Sequence, residues 1–223
     1  MKKLIDHLSQ FISPERLETF HKVLEKRTRY ITVVLEDIYQ SQNASAVLRS
    51  CDCLGVQDVH IIENKNKFQL NPDVVLGSAK WLSLSKHNSE ENNTSAAIAK
   101  LRADGYRIVA TSPHRNDTDL DDMDLPKGKI ALLFGTEMRG LTDNALEQAD
   151  EYLKIPIVGF TESFNISVSA AIILYQLTQK LRDSEIPWEL SEIERDQLLL
   201  EWLRITIKKP ELIEAAFNSS REK

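Results

Sequence analysis

Long hydrophobic runs are missing: no stretch of 18 apolar residues occurs in the 223-residue chain, so a helical membrane span is not expected. The opening residues, Met1-Lys2-Lys3-Leu4-Ile5-Asp6-His7, turn acidic and polar too early for a signal peptide. Cysteine is scarce. Cys51 and Cys53 are the only two, and their spacing is neither a CxxC pair nor a four-ligand metal set. Reduced thiols in a cytoplasmic protein are the expectation. Glycine is also sparse, at seven residues, and neither GxGxxG nor GxxxxGK[ST] is present, which excludes the usual phosphate-cradling loops. An excess of positive charge is absent too. Lys and Arg number 28 against 34 Asp and Glu, for a net charge of −6 and a pI near 5.5. Taken globally, that balance argues against a nucleic-acid binder.

Local distribution softens this. His21, Lys22, Lys26, Arg27 and Arg29 crowd one N-terminal segment, and Lys180, Arg182, Arg195, Arg204, Lys208 and Lys209 lie towards the other end. Helices from the two ends would form a basic surface on an acidic protein, unless these are ordinary solvated helix faces.

Hydrophobic residues make up 42% of the chain, enough for one sizeable core. Residues 2–12 and 14–28 read as short helices, with Ser13-Pro14 as N-cap and first helical position. Ile31 to Leu35 reads as a buried strand, 43–54 as a helix stopped by Gly55, and 56–62 as a second strand. Strand, helix, strand is a βαβ unit, which demands parallel pairing. Residues 107–111, 129–134 and 152–158 read as further strands, with a short one at 81–84. Helices are expected over 94–104, 142–149, 167–181 and 190–207. An α/β sheet flanked by terminal helices follows.

Three polar stations follow strands. In the first, Asn43 stands where an N-cap belongs. Ala44, Val47, Leu48, Cys51 and Leu54 form a core stripe, and Ser45, Arg49 and Asp52 lie away from it. The modest alternative is a cap plus an Arg49–Asp52 pair. The second is Phe134-Gly135-Thr136-Glu137-Met138-Arg139-Gly140-Leu141, which puts Glu137 at the carboxyl end of a strand, where open α/β sheets place ligands. The third is Ser163-Phe164-Asn165-Ile166-Ser167-Val168-Ser169, polar residues where a strand gives way to an apolar helix. They either hold a polar ligand or merely cap that helix.

These stretches resemble three ordered motifs of one family: Asn43 to Asp52, Phe134 to Glu137 with Gly140-Leu141, and Ile155-Pro156 followed by Ser163 to Ala171. Gly77-Ser78-Ala79-Lys80-Trp81 resembles a segment between them. The family is the TrmH/SpoU branch of the SPOUT superfamily, RNA 2′-O-ribose methyltransferases, and the resemblance covers residues 20–182.

The resemblance implies a SPOUT-type parallel-sheet domain with a C-terminal trefoil knot, flanked by N- and C-terminal helical extensions. On this reading the parts are residues 1–30, 31–182 and 183–223. It implies S-adenosyl-L-methionine as cofactor and an obligate homodimer with the active site at the subunit interface. Arg49 matches the family's catalytic arginine, proposed to activate the ribose 2′-hydroxyl. A guanidinium stays protonated, so its expected part is to stabilise the developing alkoxide, with an RNA phosphate or a water taking the proton. Asn43, Glu137, Ser163 and Asn165 match residues that organise the site. Thr111, Gly135, Ile155 and Phe164 match positions that hold the cofactor, largely through backbone groups. The family often has leucine where Phe164 stands.

Some relatives carry an added N-terminal RNA-binding domain and act on ribosomal RNA; with the first strand expected near residue 31, no room for one is expected here. The short terminal helices resemble those of members that methylate a guanosine in the tRNA D-loop. Lys26, Arg27 and Arg29 are then expected to contact the RNA backbone. The alternatives are a ribosomal RNA substrate or a non-catalytic RNA-binding role; neither a membrane nor a metal is expected.

Overall fold

Strand β1, Ile31–Glu36, is buried at all six positions, because its β-branched and aliphatic run sits mid-sheet with both faces covered. The computed structural model describes residues 1–112, 118–136 and 139–219. Around β1 lie β2 (Asp58–Ile62), β3 (Ser83–His87), β4 (Arg107–Thr111), β5 (Thr118–Asp119), β6 (Ile130–Phe134) and β7 (Glu151–Lys154). The sheet order is β3-β2-β1-β6-β4-β7-β5, with every neighbouring pair parallel. The chain builds outward from β1 to β2 and β3, then returns to the other side of β1. The direction of winding therefore reverses between β1 and β6.

Side chains alternate across the sheet. Val33 and Leu35 face one core with Val47, Leu48, Leu174 and Leu177. Val34 faces the other with Ile98, Leu101, Ala131 and Leu133. The first core lies under helices α3 (Ser41–Leu54) and α7 (Ile166–Arg182), which pack against each other. Helix α4 (Pro72–Val75) also packs on α3. The second core lies under α5 (Asn93–Ala103) and α6 (Asp143–Glu147).

Contacts divide the chain into two compact units, Thr28–Trp188, which holds the sheet, and Met1–Arg27 with Glu189–Lys223. The second unit contains α1 (Lys2–Ser9), α2 (Pro14–Leu24), α8 (Glu192–Thr206) and α9 (Pro210–Ser219). Ser13 caps α2, accepting from the Arg16 amide at 3.3 Å, as its Ser-Pro signature requires. Ser191 and Glu194 close a reciprocal capping box on α8. Inside this unit an aromatic ladder forms. Arg16 lies 5.8 Å from the Phe20 ring, Phe20 meets Trp202 edge-on at 5.6 Å, and Arg27 lies 5.5 Å from the Trp202 ring.

Several boundaries differ from the sequence reading. The strand expected over 152–158 ends at Lys154, because Pro156 has no N–H to give a ladder; Val158 and Phe160 stand fully exposed. The short strand expected at 81–84 begins at Ser83, after a 3₁₀ turn over Ser78–Trp81. Helix α3 starts at Ser41 with Gln40 in the N-cap position, so Asn43 lies in the first turn and does not cap. Ser45 is fully buried, and its Oγ accepts the Asn71 amide at 2.8 Å. It was expected off the core side, but it stitches the 63–71 connection to α3. Helix α9 was missed, because Lys208 and Lys209 interrupt the apolar periodicity that precedes it.

Candidate active site

Strands β6, β4 and β7 end together, and described residues at and after their ends line a cavity of about 390 Å³. This is the carboxyl edge of a parallel sheet beside its winding reversal, where α/β folds leave a crevice. Thr111, Gly135, Ile155 and Phe164 all line it, and so does Ser163. The Thr111 hydroxyl donates to the Leu133 carbonyl at 2.7 Å, which ties β4 to β6 at the cavity floor.

After β6 the chain comes back on Thr136 at Gly140. Thr136 and Gly140 exchange both backbone hydrogen bonds, at 2.9 and 2.8 Å. Gly140 takes φ +66, a conformation glycine adopts without strain. At Gly135 the chain closes so tightly that a Cβ would stand 2.1 Å from the Gly140 carbonyl carbon and 2.2 Å from the Leu141 nitrogen. Only glycine fits there.

A buried carboxylate anchors the far end of this loop. Glu36 is 1% exposed. It accepts the Thr142 amide at 2.9 Å, the Thr142 hydroxyl at 2.8 Å and the Thr94 hydroxyl at 2.6 Å. Thr142 in turn caps α6 through the Ala145 amide at 3.2 Å. One charge thus fixes the starts of α5 and α6 together with the end of the loop, with its hydrogen bonds offsetting the cost of burial.

At the start of α7, Asn165 is the N-cap. Its Oδ1 accepts the Ser167 amide at 2.9 Å and the Ser167 hydroxyl at 2.6 Å. Its Nδ2 donates to Asn43 Oδ1 at 3.2 Å, and Asn43 Nδ2 donates to Gln40 Oε1 at 3.0 Å. The first and third motifs therefore meet directly. Arg49 lies further along α3 and is exposed; it does not line the cavity. Glu137 falls outside the described residues.

The three cations expected at RNA differ in setting. Lys26 is exposed. Arg27 is 1% exposed against Trp202, so its guanidinium serves packing rather than presenting charge to solvent; this corrects its expected surface role. Arg29 is half-buried, with Nε at 3.0 and 3.2 Å from the two Asp58 carboxylate oxygens. Sequence reasoning missed Arg139 and Lys154, which also line the cavity. Lys154 ends β7, and its position at a strand's carboxyl end was the available signal. Glu36 was missed as well: it ends β1, one residue beyond the run read as a strand.

Among the described lining residues the cavity has apolar walls, several hydroxyls, two cations and no carboxylate. Such a lining suits a ligand with a flat heteroaromatic part and an anionic end.

The SpoU rRNA methylase family model matches residues 30–175. The chain is 48% identical over 217 residues to the tRNA (guanosine(18)-2′-O)-methyltransferase of Borreliella burgdorferi, covering 97% of each chain. It is 31% identical over 192 residues to the enzyme of that name from Thermus thermophilus, covering 85% of this chain and 96% of that one. Among solved structures, an A. aeolicus TrmH/SpoU tRNA modifying enzyme superposes with a TM-score of 0.76 at 28% identity, over 87% of this chain and 98% of the other. The parallel sheet, its crevice and these likenesses lead to one assignment: the chain belongs to the SpoU methylase family.

Proposed function

We propose that the protein is an S-adenosyl-L-methionine-dependent RNA 2′-O-ribose methyltransferase acting on a tRNA D-loop guanosine, the position-18 activity for which its 48%-identical relative is named. The observation that carries this reading is likeness along nearly the whole chain, joined to a cavity that gathers Thr111, Gly135, Ile155 and Phe164. The lining fits the cofactor. Leu141, Ile155 and Phe164 suit the adenine, and Arg139 and Lys154 suit the carboxylate.

The bound cofactor supplies an electrophilic methyl group with a good leaving group. What remains for the protein is alignment and charge. Gly135 and the folded-back loop fix one wall of the cavity. Asn43 and Asn165 hold α3 against α7, so that motif one and the cavity keep a set relation; Ser163 adds a hydroxyl to the cavity lining, and Glu137 keeps the site-organising role that its motif match gives it. Arg49 offers a permanently charged fork to the ribose 2′-oxygen as its proton leaves for an RNA phosphate or a water. Lys26 contacts the RNA backbone, with Arg29, paired to Asp58, contributing less.

The finer architecture is part of the proposal. The segments after β6 and β7 form a trefoil knot, a reading supported by α7 returning to pack on α3. Two copies pair through the exposed Val158, Phe160, Val168 and Tyr175, an apolar surface that calls for a partner. The terminal helices serve as the RNA-contacting extensions. The buried Cys51 and exposed Cys53, neither of them in a disulfide, accord with action in the cytoplasm.

Transfer of labelled methyl from S-adenosyl-L-methionine to unmodified tRNA and to ribosomal RNA fragments tests the reading. Label recovered as 2′-O-methylguanosine from the tRNA D-loop is the expected result. Label in ribosomal RNA alone would reassign the substrate. No transfer despite cofactor and RNA binding would leave a binding protein on this fold.

A further inference from the structure

A second cavity, of about 590 Å³, opens beside the start of α3 and is lined by Tyr39, Gln40, Gln42, Lys65, Asn66 and Lys67 among others. It lies over the carboxyl ends of β1 and β2, on the opposite side of the winding reversal from the first cavity. Its character is also opposite. The walls are amides, hydroxyls, two lysines and one aromatic ring. Among the described lining residues there is no carboxylate, in a protein of net charge −6.

One wall of the groove is the start of α3, and the loops that make the rest are tied down. Asp37 is buried and takes φ 53, a left-handed conformation that a non-glycine residue holds only when its surroundings enforce it. Its Oδ1 accepts the amides of Asn64, Lys65 and Asn66 at 2.7, 2.8 and 3.2 Å, while Asn66 Nδ2 donates back to the Asp37 carbonyl at 2.8 Å. Further along, the Phe68 amide reaches Glu63 at 2.8 Å and the Asn71 amide reaches Ser45 at 2.8 Å. The connection from 63 to 71 is thereby fixed, with Lys65 and Lys67 exposed on it. Tyr39 is 76% exposed on the facing loop. A large aromatic ring left in water beside cations and amides is the composition of a stacking platform for an unpaired base. Gln40 joins this groove to the active-site asparagines through its bond to Asn43.

We propose that the groove bounded by Tyr39, Gln42, Lys65 and Lys67 binds a single unpaired nucleotide of the substrate RNA. Its base stacks on Tyr39, its edge meets the amides, and its phosphates meet the two lysines. This rests on the RNA methyltransferase reading and adds the place where a nucleotide near the modified one is held. A metal ion lacks carboxylates there, and an apolar ligand lacks apolar walls.

The test measures tRNA affinity by fluorescence anisotropy across a salt series, alongside cofactor affinity and methyl transfer. Tyr39→Ala is expected to weaken tRNA binding about tenfold, with Tyr39→Phe within about twofold of wild type, because stacking needs the ring and not the hydroxyl. Lys65→Ala with Lys67→Ala lowers the slope of log affinity against log salt by about one to two units. All variants keep wild-type cofactor affinity, and their loss falls on the KM for RNA. Wild-type tRNA affinity and salt slope in both variants, with methyl transfer intact, would overturn the groove proposal and leave the proposed function standing. A wild-type protein that neither binds nor methylates any RNA would overturn the proposed function and the groove with it.

Discussion

Asn165 Nδ2 donates to Asn43 Oδ1 at 3.2 Å across 122 residues of sequence, so the cap of α7 is also a clamp on the first turn of α3. Asn165→Ala removes both functions. A lost cap costs about 1 kcal/mol, and loss of the bond that Asn43 Oδ1 accepts from Asn165 adds to it. The expected result is a small fall in denaturation midpoint with a fall in methyl transfer of about tenfold or more. A double-mutant cycle with Asn43→Ala reads the coupling; strict additivity would show that the pair does not act as a unit.

Gly135→Ala places a methyl 2.1 Å from the Gly140 backbone. The loop must open to admit it, and the wall of the cavity moves with it. Calorimetry with S-adenosyl-L-methionine is expected to show at least about tenfold weaker binding, while the sheet, whose pairing ends before Gly135, keeps its circular dichroism.

Arg27 and Lys26 are neighbours in opposite settings, one buried and one exposed. Arg27→Ala removes a buried cation from the Trp202 ring and the packing of its stem, and is expected to destabilise the fold by about 2 kcal/mol. Lys26→Ala is expected to leave stability unchanged and to weaken tRNA binding uniformly, with a reduced salt slope. Chemical denaturation and an RNA-binding salt series distinguish the two.

The buried imidazole of His60 sits with Nδ1 3.1 Å from His87 Nε2. Burial, with neighbouring His87 and Lys100, pulls its pKa from 6.5 down to about 4. Burial likewise lowers His87. The folded state thus holds His60 neutral where the unfolded chain would take a proton. Stability is complete above about pH 6.5 and falls as pH drops towards about 4, by no more than about 3.5 kcal/mol for this group. In His60→Gln the acid-side fall is expected to be shallower, so urea midpoints of variant and wild type converge between pH 7 and pH 4.5.

Much of the sheet was legible because parallel, doubly covered strands are continuous apolar runs, as Ile31 to Leu35 and Ile130 to Phe134 are. Boundaries failed where backbone chemistry overrode side-chain pattern. Pro156 ends β7 early, and Gln40 displaces Asn43 from the cap of α3. The cavity residues were legible through motif resemblance. Glu36, Asp37 and the groove were not, because each works through contacts with loops distant in sequence: Thr142 lies 106 residues from Glu36, and Asn64 lies 27 from Asp37. Arg27 was misplaced because a basic helix face on paper gives no sign that Trp202 covers it.

Single-turnover methyl transfer to unmodified tRNA, by wild type and by Arg49→Ala, tests the central claim most directly, with cofactor and tRNA affinities measured in parallel. The account predicts label in the D-loop guanosine ribose for the wild type. For Arg49→Ala it predicts a loss of at least about a hundredfold, the scale of one missing charge-stabilising group, with both affinities within about threefold of wild type. Transfer by Arg49→Ala at the wild-type rate would contradict the role given to this residue. A wild type that binds cofactor and tRNA yet transfers nothing would contradict the assignment as an enzyme.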